Sequence, residues 1–250
     1  MSTIFITGAT SGFGAACARL FAQNGWKIVA TGRKQNLLDE LAKDLAPAPV
    51  HTAILDVRDE AAVKDVVASL PGGFKEIDLL LNNAGLAQGL EPAYAASMTD
   101  WETMVDANIK GMLYVTAAIL PGMVERNRGH VVNLGSIAGN YPYPGANVYG
   151  ATKAFVKQFT LNLLADLAHT RVRATNIEPA MANTNFSKTR FHGDQAKADK
   201  VYAGMTPLSA EDVAEAIYFC ATRPEHMTIS RLELWPTSQS FGAFNVHREG

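Results

Sequence analysis

The chain opens with a short apolar strand that runs directly into a glycine-rich turn and then into a helix. Ser2-Thr3-Ile4-Phe5-Ile6-Thr7 leads into Gly8-Ala9-Thr10-Ser11-Gly12-Phe13-Gly14, and residues 15–22 carry helical periodicity closed by Asn24-Gly25. Strand, glycine turn and helix in this order are the layout of a dinucleotide phosphate site. Gly8 permits the tight turn; Gly12 and Gly14 let backbone and helix approach a pyrophosphate. Turns are glycine-rich in general, so the flanking strand and helix carry the weight.

Strand and helix patterns then alternate. Strands are expected at 27–31, 50–55, 77–81, 130–134, 172–177 and 229–234. Helices are expected at 35–45, 59–70, 99–126, from the Tyr149 region to about 169, and at 210–221. Thr99 or Asp100 reads as the N-cap of the long third helix. This alternation implies an α/β, doubly wound Rossmann fold: a seven-stranded parallel sheet, helices on both faces and right-handed crossovers. No repeat, low-complexity tract or linker marks a second domain, so residues 1–250 read as one dinucleotide-binding domain. In such sheets ligands sit at the carboxyl ends of the strands, where Thr7-Gly8, Gly32-Arg33, Asp56, Asn82 and Ser136 converge.

Bulk properties narrow the partners. A formal net charge of -2 gives no reason to expect a nucleic-acid or anionic-membrane partner. No uninterrupted apolar run reaches membrane-spanning length. The first strand begins too early for a signal peptide, so a cytoplasmic location is expected. Cys17 and Cys220 lie in apolar helical patterns and read as buried thiols; no residue cluster suggests a metal.

Tyr149 and Lys153 are one helical turn apart, with Ser136 upstream. A free tyrosine, with a pKa near 10, is a poor acid or base at pH 7. A cation beside it favours the phenolate, and a three-unit shift needs roughly 4 kcal/mol of differential stabilisation. Tyr and Lys at this spacing also occur on ordinary amphipathic helices.

The G-x-x-x-G-x-G spacing behind Thr7, Asn82-Asn83-Ala84-Gly85 after the fourth strand, Asn108, Ser136 and Tyr149-x-x-x-Lys153 together resemble the short-chain dehydrogenase/reductase family along nearly the whole chain. The resemblance implies an NADP(H)-dependent oxidoreductase with the catalytic set Asn108, Ser136, Tyr149 and Lys153. It implies cofactor contacts from Thr7, Gly8, Ser11, Gly12, Phe13, Gly14, Arg33, Asp56, Val57, Asn82, Ala84, Gly85, Tyr149, Lys153, Pro179 and Thr184. It also implies that Asn108 maintains a helix irregularity and a water link to Lys153, and that the assembly is a homotetramer. NADP is favoured over NAD because the second strand ends in Gly32-Arg33-Lys34 without a carboxylate, and Arg33 can pair with a 2′-phosphate. A helix N-cap is the competing role for Asp56. One departure stands out: Pro179 is followed by Ala180 where the family has glycine, and alanine disfavours positive φ.

Residues 183–204 occupy the place of the family's substrate lid, and Arg190 is a candidate holder of an anionic substrate, with Ser136 and Tyr149 at the reacting oxygen. The lid, Tyr141 to Gly145 and the tail resemble a narrower group, the NADP-dependent 3-hydroxy acid dehydrogenases acting on serine, allo-threonine or 3-hydroxypropionate. A similar branch reduces sulfoacetaldehyde. The apolar tail, residues 235–250 with Trp235, Phe241 and Phe244, suggests an intersubunit contact that brings Gln239 or its neighbours to an adjacent subunit's pocket, or else a tail folded over its own domain. A non-catalytic NADP sensor and a nucleotide-sugar epimerase or dehydratase are the alternatives of other classes. The intact Ser136, Tyr149 and Lys153 argue against the first, and the short chain against the second.

Overall fold

Alternating residues of each short strand feed two separate cores. In the computed structural model, which describes residues 1–184 and 186–241, the strands are Thr3–Ile6 (β1), Lys27–Gly32 (β2), Val50–Ile54 (β3), Leu79–Asn82 (β4), Gly129–Leu134 (β5), Val172–Pro179 (β6) and Arg231–Leu234 (β7). All pair in parallel, in the order β3-β2-β1-β4-β5-β6-β7. The chain winds outward from β1 to β3, then returns to β4 on the other side of β1. That reversal opens the crevice where ligands bind in such sheets.

The helices are Gly12–Gln23 (α1), Gln35–Asp44 (α2), Glu60–Ala68 (α3), Met98–Val105 (α4), Met112–Glu125 (α5), Asn147–Asp166 (α6), Phe186–Arg190 (α7), Gln195–Lys200 (α8) and Ala210–Ala221 (α9). Ile4, Ile6, Leu79 and Leu81 point to the face covered by α1, α2 and α9. Their neighbours Phe5 and Leu80 point to the face covered by α3, α5 and α6. The period of two along a strand thus makes one strand serve both layers. Cys17 and Cys220 are buried, unbridged thiols in the first of these cores, as expected.

The long helix expected at 99–126 differs in two ways. Its N-cap is Ser97, whose hydroxyl accepts from the Asp100 amide; Asp100 instead supplies a negative charge to the first turn. Between α4 and α5, residues Asp106–Gly111 form a π-helical segment that carries Asn108, matching the irregularity implied by the family resemblance. Taken as one stretch, Met98–Glu125 is long enough to cross a membrane and contains an 18-residue window apolar enough to do so, with a mean hydropathy of 1.2. Asp100, Glu102, Asp106 and Lys110 interrupt it, and α5 packs on α3, β4 and β5.

Asp56 is not a cap either. The residue that caps α3 is Asp59, which accepts from the Ala62 amide.

Candidate active site

Seven strands ending on one edge bring their loops together around a cleft of about 790 Å³. Gly8, Arg33, Asp56, Ala84, Ser136 and Pro179, each from the end of a different strand, line it, and Trp235 follows β7 there. Ser11, Gly12, Phe13, Val57, Gly85, Tyr149, Lys153, Thr184 and Arg190 line it as well.

Three expected cofactor residues do not reach the cleft. Thr7 is 1% exposed, and its hydroxyl accepts from the amides of Asn83 (3.0 Å) and Ala84 (2.9 Å). Gly14 packs so closely that a Cβ there would lie 2.4 Å from the Gly8 carbonyl oxygen. Asn82, the last residue of β4, turns inward: its Nδ2 donates to Thr116 Oγ1 (2.9 Å) and Asn133 Oδ1 (2.8 Å). These residues shape the loops from behind. Asn83, which the sequence reading left without a role, faces the other way and donates to the Thr7 and Gly8 carbonyls at 2.9 and 3.0 Å. One asparagine braces the sheet and the next braces the glycine turn.

The glycine turn fits a pyrophosphate. Gly8 and Gly12 have φ of 65° and 51°, in the left-handed region. No side chain caps α1 and no acid lies in its first turn, so its leading amides are left for an anion. At the far end of the cleft, Asp56 would oppose a phosphate were it not clamped by Arg58 through Nε–Oδ1 (2.9 Å) and NH2–Oδ2 (2.6 Å). The Arg58 hydrogen bonds outweigh desolvation, Arg33 adds to them, and the Asp56 carboxyl is held below the usual carboxylate range. Two arginines against one acid leave this end cationic.

At the other end stand Ser136, Tyr149 and Lys153. Ser136 Oγ accepts from the Ala138 amide (3.1 Å) and donates to the Pro179 carbonyl (3.4 Å), and its hydroxyl favours the Tyr149 phenolate. Lys153 Nζ donates to the Leu134 carbonyl at 2.7 Å. Asn108 does not line the cleft. Its Oδ1 accepts from the Leu86 amide (2.8 Å), and its Nδ2 donates to the Leu86 carbonyl (2.8 Å) and to Thr152 Oγ1 (3.0 Å). Thr152 in turn donates to the Tyr149 carbonyl at 2.8 Å. The π segment is thereby tied to the backbone of the Tyr149 helix.

The expected lowering of the Tyr149 pKa by Lys153 is reversed in the protein alone. Burial pushes the phenol up to about 12, and the neighbouring Tyr143 adds in the same direction. Arg190 and the Ser136 hydrogen bond act in the lowering direction but do not win. Lys153 Nζ lies 5.9 Å from the Tyr149 ring centre, further than the Arg190 guanidinium carbon at 5.0 Å. Burial also pushes Lys153 down to about 8. Low dielectric disfavours both charges together.

Arg190 is the last residue of α7. Its guanidinium lies over the rings of Tyr149 and Phe186 (5.1 Å), its NH2 donates to Tyr143 Oη at 3.0 Å, and its Nε is buried without a partner. This segment is pinned by the Gly89 amide donating to the Arg190 carbonyl (3.0 Å) and by His192 Nε2, 3.3 Å from Asp100 Oδ2.

One further expectation needs revision. Ala180 does not have positive φ; its amide donates to the Leu234 carbonyl at 2.8 Å, so an extended backbone accepts alanine without strain. The described tail, to residue 241, folds over its own cleft. Phe241 stacks on Tyr141 with ring centres 4.9 Å apart, Trp235 meets both rings, and Gln239 Oε1 accepts from the Met181 amide at 2.9 Å. Phe244 lies outside the described residues.

Lys153 has a pH signature. Its folded pKa, about 8, is below its unfolded value, so between pH 8 and 10.5 the unfolded chain binds more protons and stability rises with pH. Urea unfolding at pH 7.5 and 9.5 should show a gain of about 2 kcal/mol in the native chain relative to Lys153→Met. Equal pH slopes in the two proteins would refute the burial shift.

The short chain dehydrogenase family model matches residues 2–195. The NADP-dependent 3-hydroxy acid dehydrogenase YdfG of Salmonella typhi is 55% identical over 98% of this chain and 99% of its own length. Sulfoacetaldehyde reductase 2 of Chromohalobacter salexigens is 53% identical over 98% of both chains. Among solved structures, the closed form of a serine dehydrogenase complexed with NADP+ superposes with a TM-score of 0.97 at 53% identity, covering 99% of this chain and all of that one. The glycine turn, the strand-end cleft and these matches over the full length agree: the chain belongs to the short-chain dehydrogenase family.

Proposed function

We propose that the protein is an NADP(H)-dependent oxidoreductase that interconverts a small anionic 3-hydroxy acid and its carbonyl form, with residues 1–250 acting as one catalytic unit. The observation that carries the anionic substrate is the buried, unpartnered Nε of Arg190, 5.0 Å from the ring of the proton donor when measured from the guanidinium carbon. A buried donor without a partner is costly, and a carboxylate or sulfonate would satisfy it. An anion held there lies close to Tyr149, which restricts the substrate to a few atoms. The names of the relatives, a 3-hydroxy acid dehydrogenase and a sulfoacetaldehyde reductase, agree with such a molecule.

The residues divide the work. Ser11, Gly12 and Phe13 would receive the pyrophosphate, Arg33 the 2′-phosphate, and Lys153, beside Tyr149, would hold the ribose. The cofactor, when bound, supplies or accepts the hydride. In reduction, Tyr149 donates its proton to the carbonyl oxygen as negative charge develops, a role suited to a phenol that burial keeps protonated. Ser136 Oγ, its proton turned from the Pro179 carbonyl, donates a hydrogen bond to the same oxygen. In oxidation, Tyr149 must be a phenolate, and the cations Lys153 and Arg190 are this chain's own support for it. Asn108 acts from behind through Leu86 and Thr152. A homotetramer rests on the family resemblance.

Three substitutions test these roles. Tyr149→Phe should lower kcat by about 100-fold or more with NADPH binding nearly intact; retained turnover refutes proton transfer by the phenol. Arg33→Ala should weaken NADPH by about tenfold or more and leave NADH binding little changed in a fluorescence titration. Arg190→Ala should raise KM about tenfold or more for malonic semialdehyde, sulfoacetaldehyde, L-serine, L-allo-threonine and 3-hydroxypropionate, but not for a neutral aldehyde. The same panel with the native enzyme separates carboxylate from sulfonate preference, and no turnover on any member would favour a cofactor sensor.

A further inference from the structure

Glu178 is a charged residue, 1% exposed, that the chemistry above does not use. It precedes Pro179 on β6 with its carboxylate turned away from the cleft, and four donors saturate it. Arg231 on β7 donates through Nε to Oε1 (2.9 Å) and NH2 to Oε2 (2.8 Å). Asn176 Nδ2 donates to Oε1 (2.5 Å) and Asn140 Nδ2 to Oε2 (2.7 Å). Burial works against ionisation here, but the hydrogen bonds from Arg231, Asn140 and Asn176 hold the carboxyl below its ordinary range.

The Asn140 and Asn176 contacts, and the peptide bond to Pro179, lead towards Ser136. The two backbone partners of Ser136 Oγ are the Pro179 carbonyl and the Ala138 amide. Pro179 is joined to Glu178 by a peptide bond. Ala138 belongs to the short 3-10 turn Ile137–Gly139, whose C-cap is Asn140. Lys157 clamps that end of the turn from α6 by donating to Asn140 Oδ1 at 2.7 Å. On the other flank, Asn176 fills the space that a side chain at Gly135 would need: a Cβ there would lie 2.5 Å from Asn176 Oδ1. The backbone before Ser136, the turn after it and the acceptor of its hydroxyl are therefore set by one carboxylate.

We propose that Glu178 is a positioning residue for the reaction. It places the Ser136 Oγ beside the substrate oxygen by fixing Gly135, the Ile137–Gly139 turn and the Pro179 carbonyl together. A carboxylate is suited to this because it accepts from three separate side chains, whereas the amide of glutamine would turn donors toward Arg231 or Asn140.

The inference rests on Ser136 donating to the reacting oxygen, so the test is a double-mutant cycle. Ser136→Ala, Glu178→Gln and the double variant are compared in kcat and KM with the best substrate of the panel above, alongside NADPH binding and thermal unfolding. Glu178→Gln is expected to lower kcat about tenfold or more, with NADPH affinity within about twofold of the native value. In the Ser136→Ala background the same change should cost less than about threefold. A merely structural role would lower the unfolding temperature and cost the same factor in both backgrounds, which overturns the proposal, as does unchanged kcat in folded Glu178→Gln. If Glu178→Gln fails to fold, Asn140→Ala, which leaves the Glu178–Arg231 pair in place, is put through the same cycle and judged the same way. Should Ser136→Ala alone retain full activity, the Ser136 assignment falls first and the proposal with it.

Discussion

Because every strand in the sheet points the same way, seven chain segments leave it at one edge, and none can be followed there by a tight hairpin. Each of the first six must turn over the carboxyl end of the sheet before a helix carries the chain back. The cleft is the space these departures enclose. β1 contributes the glycine turn, β2 an arginine, β5 the hydroxyl of Ser136, and β6 the carbonyl that receives it. The reversal of winding between β1 and β4 keeps the loops from closing over one another.

The electrostatics of the catalytic end follow from its dryness. Burial raises the Tyr149 phenol to about 12 and lowers Lys153 to about 8, so the isolated site resists both of the charges its chemistry uses in the oxidative direction. Charge is instead concentrated where ligands are to meet it, at uncapped α1, at Arg33 and at Arg190. In this picture an anionic substrate and the cofactor do more than react: they complete a charge pattern that the protein leaves unfinished. The ionised Glu178–Arg231 pair stays outside that pattern, sealed behind the wall, where its charge serves geometry.

Much of this was legible in the sequence because it depends on local rules. The strand–glycine–helix opening, the order of the strands' chemistry and the Tyr149–Lys153 turn are all short-range patterns, and the structure places them at one cleft. What escaped depends on contacts across the fold. Asn82 and Asn83 are indistinguishable as neighbours in a motif, yet strand alternation sends one into the interior and the other to the glycine turn. Ser97 was passed over for Thr99 and Asp100 because all three suit a helix start, and only backbone geometry selects among them. The raised phenol pKa is a property of burial, which residue spacing does not encode. The tail's aromatic residues were readable as sticky, but not where they would stick; Tyr141 answers that.

The π-helical segment at Asp106–Gly111 sets a limit on how this chain can vary in length. A regular helix advances about 100° per residue, and the wider turn here absorbs what amounts to one surplus residue. Loss of a single residue from the segment would let α4 and α5 merge into one regular helix, with no gap in the backbone ladder and no helix broken. The flanking turns would keep their facing, since the wide turn had absorbed the extra residue, but the segment itself would close up and draw Asn108 off Leu86 and Thr152. A change that regularises the helix would therefore cost it the Asn108 link to the Tyr149 helix, although Trp101 would still donate to Asn147, so the imperfection is what holds this link in place.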